Sequence, residues 1–392
     1  MFHLLLVIIY LAFISLGLPD SLLGAAWPSM YQELSVPVSY AGGISMIIAL
    51  GTVISSLQSD RLTKKWGTGK VTALSVLMTA AALFGFSMSH SYAALCLLAI
   101  PYGLGAGSVD ASLNNYVALH YASRHMSWLH CMWGIGASLG PYIMGQVLTG
   151  NGTWNMGYGY IAVLQIILSI ILMLSLSLWE NRSVSDNVGV STGAEDKEPL
   201  SLKAIVSYPG VKEIMVTFFC YCALEQTTGL WAGSYLVLQL GLSEGTASSL
   251  AALFFIGITT GRALGGFLTL KLSDTGMIRL GQVTAASAIL LLLLPFGNKN
   301  AFAGLILLGL GCAPIYPSII HSTPERFGEG RSQAVIGVQM ASAYVGTCLM
   351  PPVFGLIANH ISISLFPLFL LLILVLMVFM HERLLKTISK RT

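Results

Sequence analysis

The chain has 392 residues, of which 55% are hydrophobic and only 9% are charged, and its mean hydropathy is +0.78. A soluble domain carries about 25% charged residues, so this composition excludes a soluble globular protein and indicates one that crosses a membrane several times. The formal net charge of +3 does not indicate a nucleic-acid partner, and we expect none.

Apolar stretches long enough to cross a membrane follow one another along the whole chain. A helix needs about 20 apolar residues to cross the roughly 30 Å of hydrocarbon in a bilayer. The first stretch starts at Phe2 with no basic segment before it, so we expect a retained helix rather than a signal peptide. We predict an all-α membrane protein with twelve transmembrane helices, near residues 3–31, 37–58, 70–89, 92–119, 125–149, 157–179, 211–239, 245–270, 277–297, 300–322, 332–357 and 361–382.

The distribution of Lys and Arg predicts the orientation of these helices. Of the basic residues between the predicted helices, Lys299 alone lies on one side, and the others lie on the opposite side. Because basic loops remain in the cytoplasm, we predict that both termini are cytoplasmic, in the plasma membrane of a bacterium. Residues 181–210 are polar and mixed in charge, which favours a cytoplasmic linker between two bundles, at residues 1–180 and 211–392.

The two halves of the chain repeat one another. Asp20 begins the run DSLLG, and Glu225 begins the run EQTTG 205 residues later. The run Gly103–Gly105 in the fourth predicted helix likewise resembles Gly309–Gly311 in the tenth. Parallel repeats of six helices are typical of transporters in which two bundles move about a site near the middle of the membrane. We therefore predict two pseudo-symmetric six-helix bundles.

Five runs of sequence carry a more specific resemblance. They are GLPDSLLGAAWP (Gly17–Pro28), GLGAGSVDASLNN (Gly103–Asn115), LHCMWGIGASLGP (Leu129–Pro141), ALEQTTGLWAGSYL (Ala223–Leu236) and GLGCAPIYPS (Gly309–Ser318). With the helices and the repeat, these runs resemble the major facilitator superfamily, and within it the fucose/glucose–proton symporter branch. The loop Ser59–Lys70 is similar to that superfamily's Asp-Arg loop. The resemblance implies that Asp20, Asp110 and Asn114 serve substrate recognition and proton coupling.

Three acidic residues, Asp20, Asp110 and Glu225, lie inside predicted helices. A charge at a helix centre costs roughly 2.5–3.5 kcal/mol, so such residues usually face a cavity, form pairs or carry protons. Burial disfavours the charged form of a carboxylate, which suits Asp110 to loading and releasing a proton; the alternative is a hydrogen bond between helices. We predict proton coupling through these three acids and His130, although a membrane histidine is as often a structural donor.

The candidates for substrate binding are polar and aromatic side chains on the same helices. A flat indole beside polar groups suits a sugar, whose C–H face packs on aromatic rings, and an amide both donates to and accepts from hydroxyls. Packing is the alternative role, and it is the favoured one for Trp27. The predicted substrate-binding residues are Asp20, Trp27, Asp110, Asn114, Trp133, Glu225, Gln226, Trp231, Tyr316 and Gln339.

Three charged residues are candidates for gating rather than binding. Asp60 and Arg61 lie at the predicted cytoplasmic end of the second helix, where a charge clamp would hold the bundles in one state; a solvated surface is the alternative. Arg262, near the end of the eighth predicted helix, is expected to pair with an acid that the sequence does not identify.

These features predict a secondary active transporter that imports a monosaccharide by proton symport and acts as a monomer. The chain has no Walker-type phosphate loop, and its six cysteines fit packing better than a metal or redox site, so we expect no cofactor, no metal and no enzymatic activity. The alternatives are a proton-coupled exporter of drugs or metabolites and a sodium-coupled sugar symporter. A receptor or membrane enzyme would need an extramembrane domain or an interfacial catalytic cluster, which the short loops do not supply.

Overall fold

The computed structural model describes residues 2–120, 123–183, 202–294 and 298–389. Most of the predicted linker at 181–210 lies outside the described residues. The first half of the chain forms eight helices: α1 (Phe2–Asp20), α2 (Leu22–Glu33), α3 (Tyr40–Trp66), α4 (Thr68–Met88), α5 (Tyr92–His120), α6 (Ser123–Thr149), α7 (Trp154–Leu174) and α8 (Leu176–Ser183).

The second half of the described chain is built in the same way. Its helices are α9 (Leu202–Val206), α10 (Val211–Leu238), α11 (Glu244–Leu268), α12 (Asp274–Leu293), α13 (Asn298–Cys312), α14 (Ile315–His321), α15 (Thr323–Phe327), α16 (Glu329–His360), a 3₁₀ turn at Ile363–Leu365, and α17 (Phe366–Ser389). Ser243 and Ser273 cap the N-termini of α11 and α12, where their side chains accept hydrogen bonds from backbone N–H groups.

A helix or a pair of consecutive helices occupies each of the twelve predicted stretches. Within the described residues, nine membrane-length segments are apolar enough to cross a bilayer. The other three predicted spans lie on α3, α6 and α10, which carry more polar side chains inside the helix or at one end.

Three predicted helices are interrupted in the structure: the sixth between α7 and α8, and two others near a proline. The first ends as α1 at Asp20 and resumes as α2 at Leu22, with Pro19 in the last turn of α1. The tenth breaks between α13 and α14, where Pro314 precedes the first residue of α14. Proline lacks a backbone N–H and crowds the preceding turn, which accounts for the two interruptions near a proline. The first break places the Asp20 carboxylate at a helix end instead of within a continuous helix.

Helices of each half pack mainly with one another. In the first half α1 packs on α6, α3 on α5, and α4 on both α5 and α7; in the second half α10 packs on α16 and α17, and α13 on α11 and α12. The halves meet where α6 contacts α11, α3 contacts α16, and α2 contacts α10. Large apolar side chains remain exposed on the outer faces, such as Leu174 at 79% and Leu372 at 63%, as expected for a protein surrounded by lipid.

Candidate functional site

The two halves approach closely where α2 crosses α10, at the glycines of the repeated runs. A Cβ atom on Gly24 would lie 2.8 Å from the carbonyl oxygen of Leu230 and closer still to that of Gly229. A Cβ atom on Gly233 would lie 2.7 Å from the carbonyl oxygen of Gly24. Only glycine permits this backbone-to-backbone approach. Asp20 and Glu225, each four residues before the first glycine of its run, are thereby held close to this crossing.

Asp20 remains accessible inside the first membrane-spanning segment. Its side chain is exposed although α1 and α2 together form one membrane-spanning segment. One carboxylate oxygen accepts a hydrogen bond of 2.8 Å from the indole N–H of Trp133 on α6. This one hydrogen bond comes from a neutral donor and occupies only one carboxylate oxygen, so Asp20 is available to a ligand or a proton.

Trp133 continues the chain of contacts to the second half. The Arg262 guanidinium lies 5.0 Å from the centre of the Trp133 ring, a cation–π arrangement. Nη2 of Arg262 lies 3.7 Å from a carboxylate oxygen of Glu225, and their side chains are 14% and 10% exposed. Asp20, Trp133, Arg262 and Glu225 therefore form one continuous set of contacts from α1 through α6 and α11 to α10, which we name the central cluster.

Asp110 and Asn114 form a second polar pair on α5. The Asn114 amide donates hydrogen bonds of 2.8 Å to the Asp110 carboxylate and 3.0 Å to its backbone carbonyl. The glycines of the same helix serve packing: a Cβ atom on Gly103 or Gly107 would collide with the α3 backbone at Ile48 or Thr52. Among the described residues, neither Asp110 nor Asp20 forms an ion pair with a Lys, Arg or His.

Aromatic side chains line the second half beside Glu225. The rings of Phe218 and Tyr316 are 5.0 Å apart, and those of Tyr221 and Tyr316 are 6.0 Å apart. Tyr221 was absent from the predicted site residues, although its position one helical turn before Glu225 on α10 could have indicated it. Tyr316 lies next to the central cluster through Tyr221.

Three predicted binding residues lie in the packed core instead. The Trp27 indole is fully buried and donates 2.7 Å to the carbonyl of Val38. Trp231 is also fully buried and donates 2.9 Å to the carbonyl of Pro351. Gln339 is fully buried and hydrogen-bonds Thr323. Because their polar atoms are satisfied by neighbouring protein groups, these residues stabilise helix packing.

Of the remaining predicted residues, some have described side chains and others do not. His130 packs edge-on against Phe13, with ring centres 6.0 Å apart. Gln226 is exposed and forms no hydrogen bond with a described residue. The side chains of Asp60 and Arg61 lie outside the described residues, so the charge clamp stays a prediction. Arg262, expected to act as a gate, lies in the central cluster with Glu225 as its partner.

The halves are packed together at the end of the molecule that carries Glu33 and Glu244. The Ser29 hydroxyl of α2 donates to the Glu244 carboxylate of α11, a contact between halves that the sequence did not indicate. At the same end, a Cβ atom on Gly42 of α3 would lie 2.6 Å from Pro352 of α16. A cavity of about 310 Å³ opens there, lined by Ser29, Gln32, Glu33, Leu148, Gly152, Thr153, Trp154 and Glu244.

The opposite end of α11 is less crowded. Cβ atoms on Gly265 and Gly266 would have no described atom within 4 Å, and Phe267 is 73% exposed. The described contacts between halves therefore close one end of the molecule, and the central cluster lies between that end and the other.

Comparison with known proteins identifies the fold. The Major Facilitator Superfamily model matches residues 9–271 and 214–390. A solved structure of the nucleoside transporter NupG, determined on a point mutant, superimposes with a TM-score of 0.74 at 14% identity, covering 97% of this chain and 98% of that one. These matches confirm the predicted all-α major facilitator fold.

Two curated proteins illustrate the range of relatives. The chain is 22% identical over 387 residues to Bypass of stop codon protein 6 of Saccharomyces cerevisiae, covering 91% of this chain and 77% of that protein. It is 22% identical over 317 residues to the Glucose/mannose transporter GlcP of Bacillus subtilis, covering 79% of this chain and 77% of that protein.

Proposed function

The chain belongs to the major facilitator superfamily, and from that premise we propose that it imports a monosaccharide by proton symport. Membership makes it a multi-pass membrane transporter of small molecules rather than an enzyme. The finer assignment rests on one observation, the central cluster, which joins an acid of the first half to an acid of the second through Trp133 and Arg262.

The central cluster supports transport because it crosses the boundary between the halves. A ligand that contacts both halves stabilises the state in which they close around it, and such a difference in binding is required for any conformational coupling. We propose two bundles, at residues 1–180 and 211–392, that alternate about this site in a monomer. Both termini are proposed to be cytoplasmic, in the plasma membrane of a bacterium.

Recognition of a sugar is supported by the kinds of group around the site. Carboxylates and amides such as Asp20, Asp110 and Asn114 bind hydroxyls, and the Trp133 ring offers a flat apolar face. One relative, GlcP, is named as a glucose/mannose transporter, and the sequence runs described above resemble the fucose/glucose–proton symporter branch. We propose Gln226 and Tyr316 as further contacts on the second half.

Proton coupling is supported by the carboxylates of the first half. Asp110 and Asp20 receive hydrogen bonds from neutral donors, and neither has a described cation as an ion-pair partner. A carboxylate in a low-dielectric site without a cation gains by binding a proton. We propose that Asp110, with Asp20, loads the proton, and that His130 and Glu225 adjust the charge of the site.

The test is uptake of a panel of labelled monosaccharides into proteoliposomes, with an inward proton gradient and an inward sodium gradient imposed separately. We expect accumulation above the external concentration only with the proton gradient, and we expect counterflow without any gradient. The matched control is Asp110→Asn, which should retain counterflow and lose accumulation.

Three results would contradict the proposal. Accumulation driven by sodium alone would favour the sodium-coupled alternative. Proton-driven expulsion of preloaded substrate would favour an exporter. Absence of binding and transport for every sugar in the panel, with a well-folded protein, would exclude a monosaccharide substrate.

A further inference from the structure

The guanidinium of Arg262 is held loosely for a buried cation. Its distance of 3.7 Å to Glu225 exceeds hydrogen-bond length. Arg279, near a surface end of α12, instead forms two hydrogen bonds of 2.7 Å to Glu382. An arginine has five N–H donors in a planar fork. Arg262 therefore keeps donors available inside the protein, whereas the surface arginine has used two of its own.

A second unused donor lies beside the first. The Tyr221 hydroxyl lies beside both Glu225 and Arg262, close enough to interact with each, but it meets the geometry of a hydrogen bond with neither. It is buried, with Tyr221 1% exposed, and has no hydrogen-bond partner among the described residues. Leaving a buried polar group without a partner costs roughly 1–3 kcal/mol. Two buried donors that lie beside one another without close acceptors indicate a missing acceptor.

Arg262 also covers a surface that a sugar needs. It lies over the ring of Trp133 at 5.0 Å, while Phe255 packs edge-on against the same indole at 6.4 Å. A sugar ring cannot stack on this face of Trp133 until the guanidinium moves. A ligand that draws Arg262 aside would therefore create its own stacking surface.

We propose that Arg262, with Tyr221, selects a monosaccharide that carries a carboxylate, such as a hexuronate; the inference rests on the proposed sugar transport. The carboxylate accepts two parallel hydrogen bonds from the Arg262 fork and a third from the Tyr221 hydroxyl. It replaces Glu225 as the counter-ion, and Arg262 leaves the Trp133 ring. A neutral sugar offers Arg262 no charged acceptor and leaves it over the indole.

The three acidic side chains of the site would link the binding of an anionic sugar to the binding of protons. An anion repels the ionised carboxylates of Asp20, Asp110 and Glu225, so its binding favours their protonated forms. Substrate and proton then bind more tightly together than apart, which is the thermodynamic requirement for symport.

The experiment compares two sugars that differ only at one carbon. Binding of D-glucuronate and D-glucose to the purified full-length protein is measured by calorimetry, with glucose 6-phosphate as a third ligand. Hydrogen bonds to a charged group contribute about 1.5–3 kcal/mol, so we expect glucuronate to bind roughly 10- to 100-fold more tightly than glucose. Glucose 6-phosphate is expected to bind less tightly than glucuronate.

Variants of Arg262 then assign the preference to that side chain. Arg262→Gln should remove the preference for glucuronate over glucose. Arg262→Lys keeps the charge but not the fork, so the preference should fall to an intermediate value. The double variant Glu225→Gln/Arg262→Gln leaves no unpaired charge and provides the neutral site if the single variant is unstable. Arg279→Gln, the control arginine, should leave the preference unchanged.

The possible results test the carboxylate assignment and the proposed sugar transport separately. Equal or tighter binding of glucose by the wild type, or a folded Arg262→Gln protein that still prefers glucuronate, would overturn the carboxylate assignment and leave sugar transport standing. Tighter binding of glucose 6-phosphate would replace the carboxylate by a phosphate. Failure of the folded wild type to bind any sugar would overturn the proposed function itself, and this inference with it.

Discussion

The two halves of the molecule hold their membrane-embedded acids in different ways. In the first half, Asp110 accepts a hydrogen bond from Asn114 and Asp20 accepts one from Trp133. In the second half, Glu225 faces the cation of Arg262 at 3.7 Å. A fixed cation stabilises the ionised carboxylate more strongly than a neutral N–H donor does, so the acids of the first half lose less when they bind a proton. We propose on this basis that the first half carries the proton and that the second half recognises the charge of the substrate.

The largest effect is expected from removing the acid of the first half that we propose to carry the proton. Asp110→Asn keeps the shape and the neighbouring Asn114 but cannot bind and release a proton. We expect accumulation against a gradient to fall to the background level while counterflow continues, because exchange needs the site but no net proton movement. Uptake and counterflow in proteoliposomes measure the two quantities.

The control for this variant is Glu382→Gln, which removes an acid from a surface ion pair with Arg279. Surface pairs contribute about 0–1 kcal/mol, so accumulation should remain normal. If Asp110→Asn concentrates substrate as the wild type does, the proton is carried elsewhere and the contrast between the halves fails.

The next largest effect concerns the crossing that places the two acids together. Gly24→Val would bring a branched side chain into the backbone of α10 at Gly229 and Leu230. The helices must separate, so we expect transport to fall by an order of magnitude or more and the thermal midpoint to drop. Gly265→Ala is the matched control, since its Cβ atom would meet no described atom within 4 Å and alanine favours a helix by about 1 kcal/mol.

Normal transport by a folded Gly24→Val protein would show that the close approach of α2 and α10 is not needed. The depth at which Asp20 and Glu225 lie would then be set by other contacts, and the repeated glycine would have no role in the site.

Much of this architecture could be predicted from the sequence, because it depends on local patterns. The helices follow from apolar length, and the pairing of Asp110 with Asn114 follows from a spacing of four on one helix. The position of Arg262 could not be predicted, since its partners come from α10 and α6, far away in the chain. Trp27 and Trp133 look alike in sequence; only packing determines that one indole serves the core and the other contacts Asp20.

A smaller effect is expected from the paired acid of the second half. Glu225→Gln removes the counter-ion of Arg262 and leaves a cation unpaired in the interior, which costs about 3 kcal/mol in buried pairs. We expect a lower thermal midpoint and several-fold weaker transport, with part of the substrate binding retained. Glu225→Gln/Arg262→Gln should recover stability relative to the single variant, and a double-mutant cycle measures the coupling.

Wild-type transport rates, pH dependence and stability in Glu225→Gln would show that the ion pair contributes nothing. In that case Glu225 would serve only to join α10 to a neighbouring helix. The proposed difference between Asp110 and Glu225 would then be wrong.

The smallest effect, and the one that tests how the halves communicate, is expected from the two indoles. Trp133→Phe keeps an aromatic ring for Arg262 but removes the N–H that Asp20 accepts at 2.8 Å. The net contribution of one such hydrogen bond is about 1 kcal/mol, so a loss of roughly fivefold in substrate affinity is expected. Trp27→Phe removes an equivalent N–H, here donated at 2.7 Å to Val38 in the core, and should lower the thermal midpoint while leaving affinity unchanged.

Calorimetric titration and thermal melting of the two variants separate the roles. Equal losses of affinity in both would mean that each indole acts through packing alone, and the link from Asp20 to Arg262 would then carry no information between the halves.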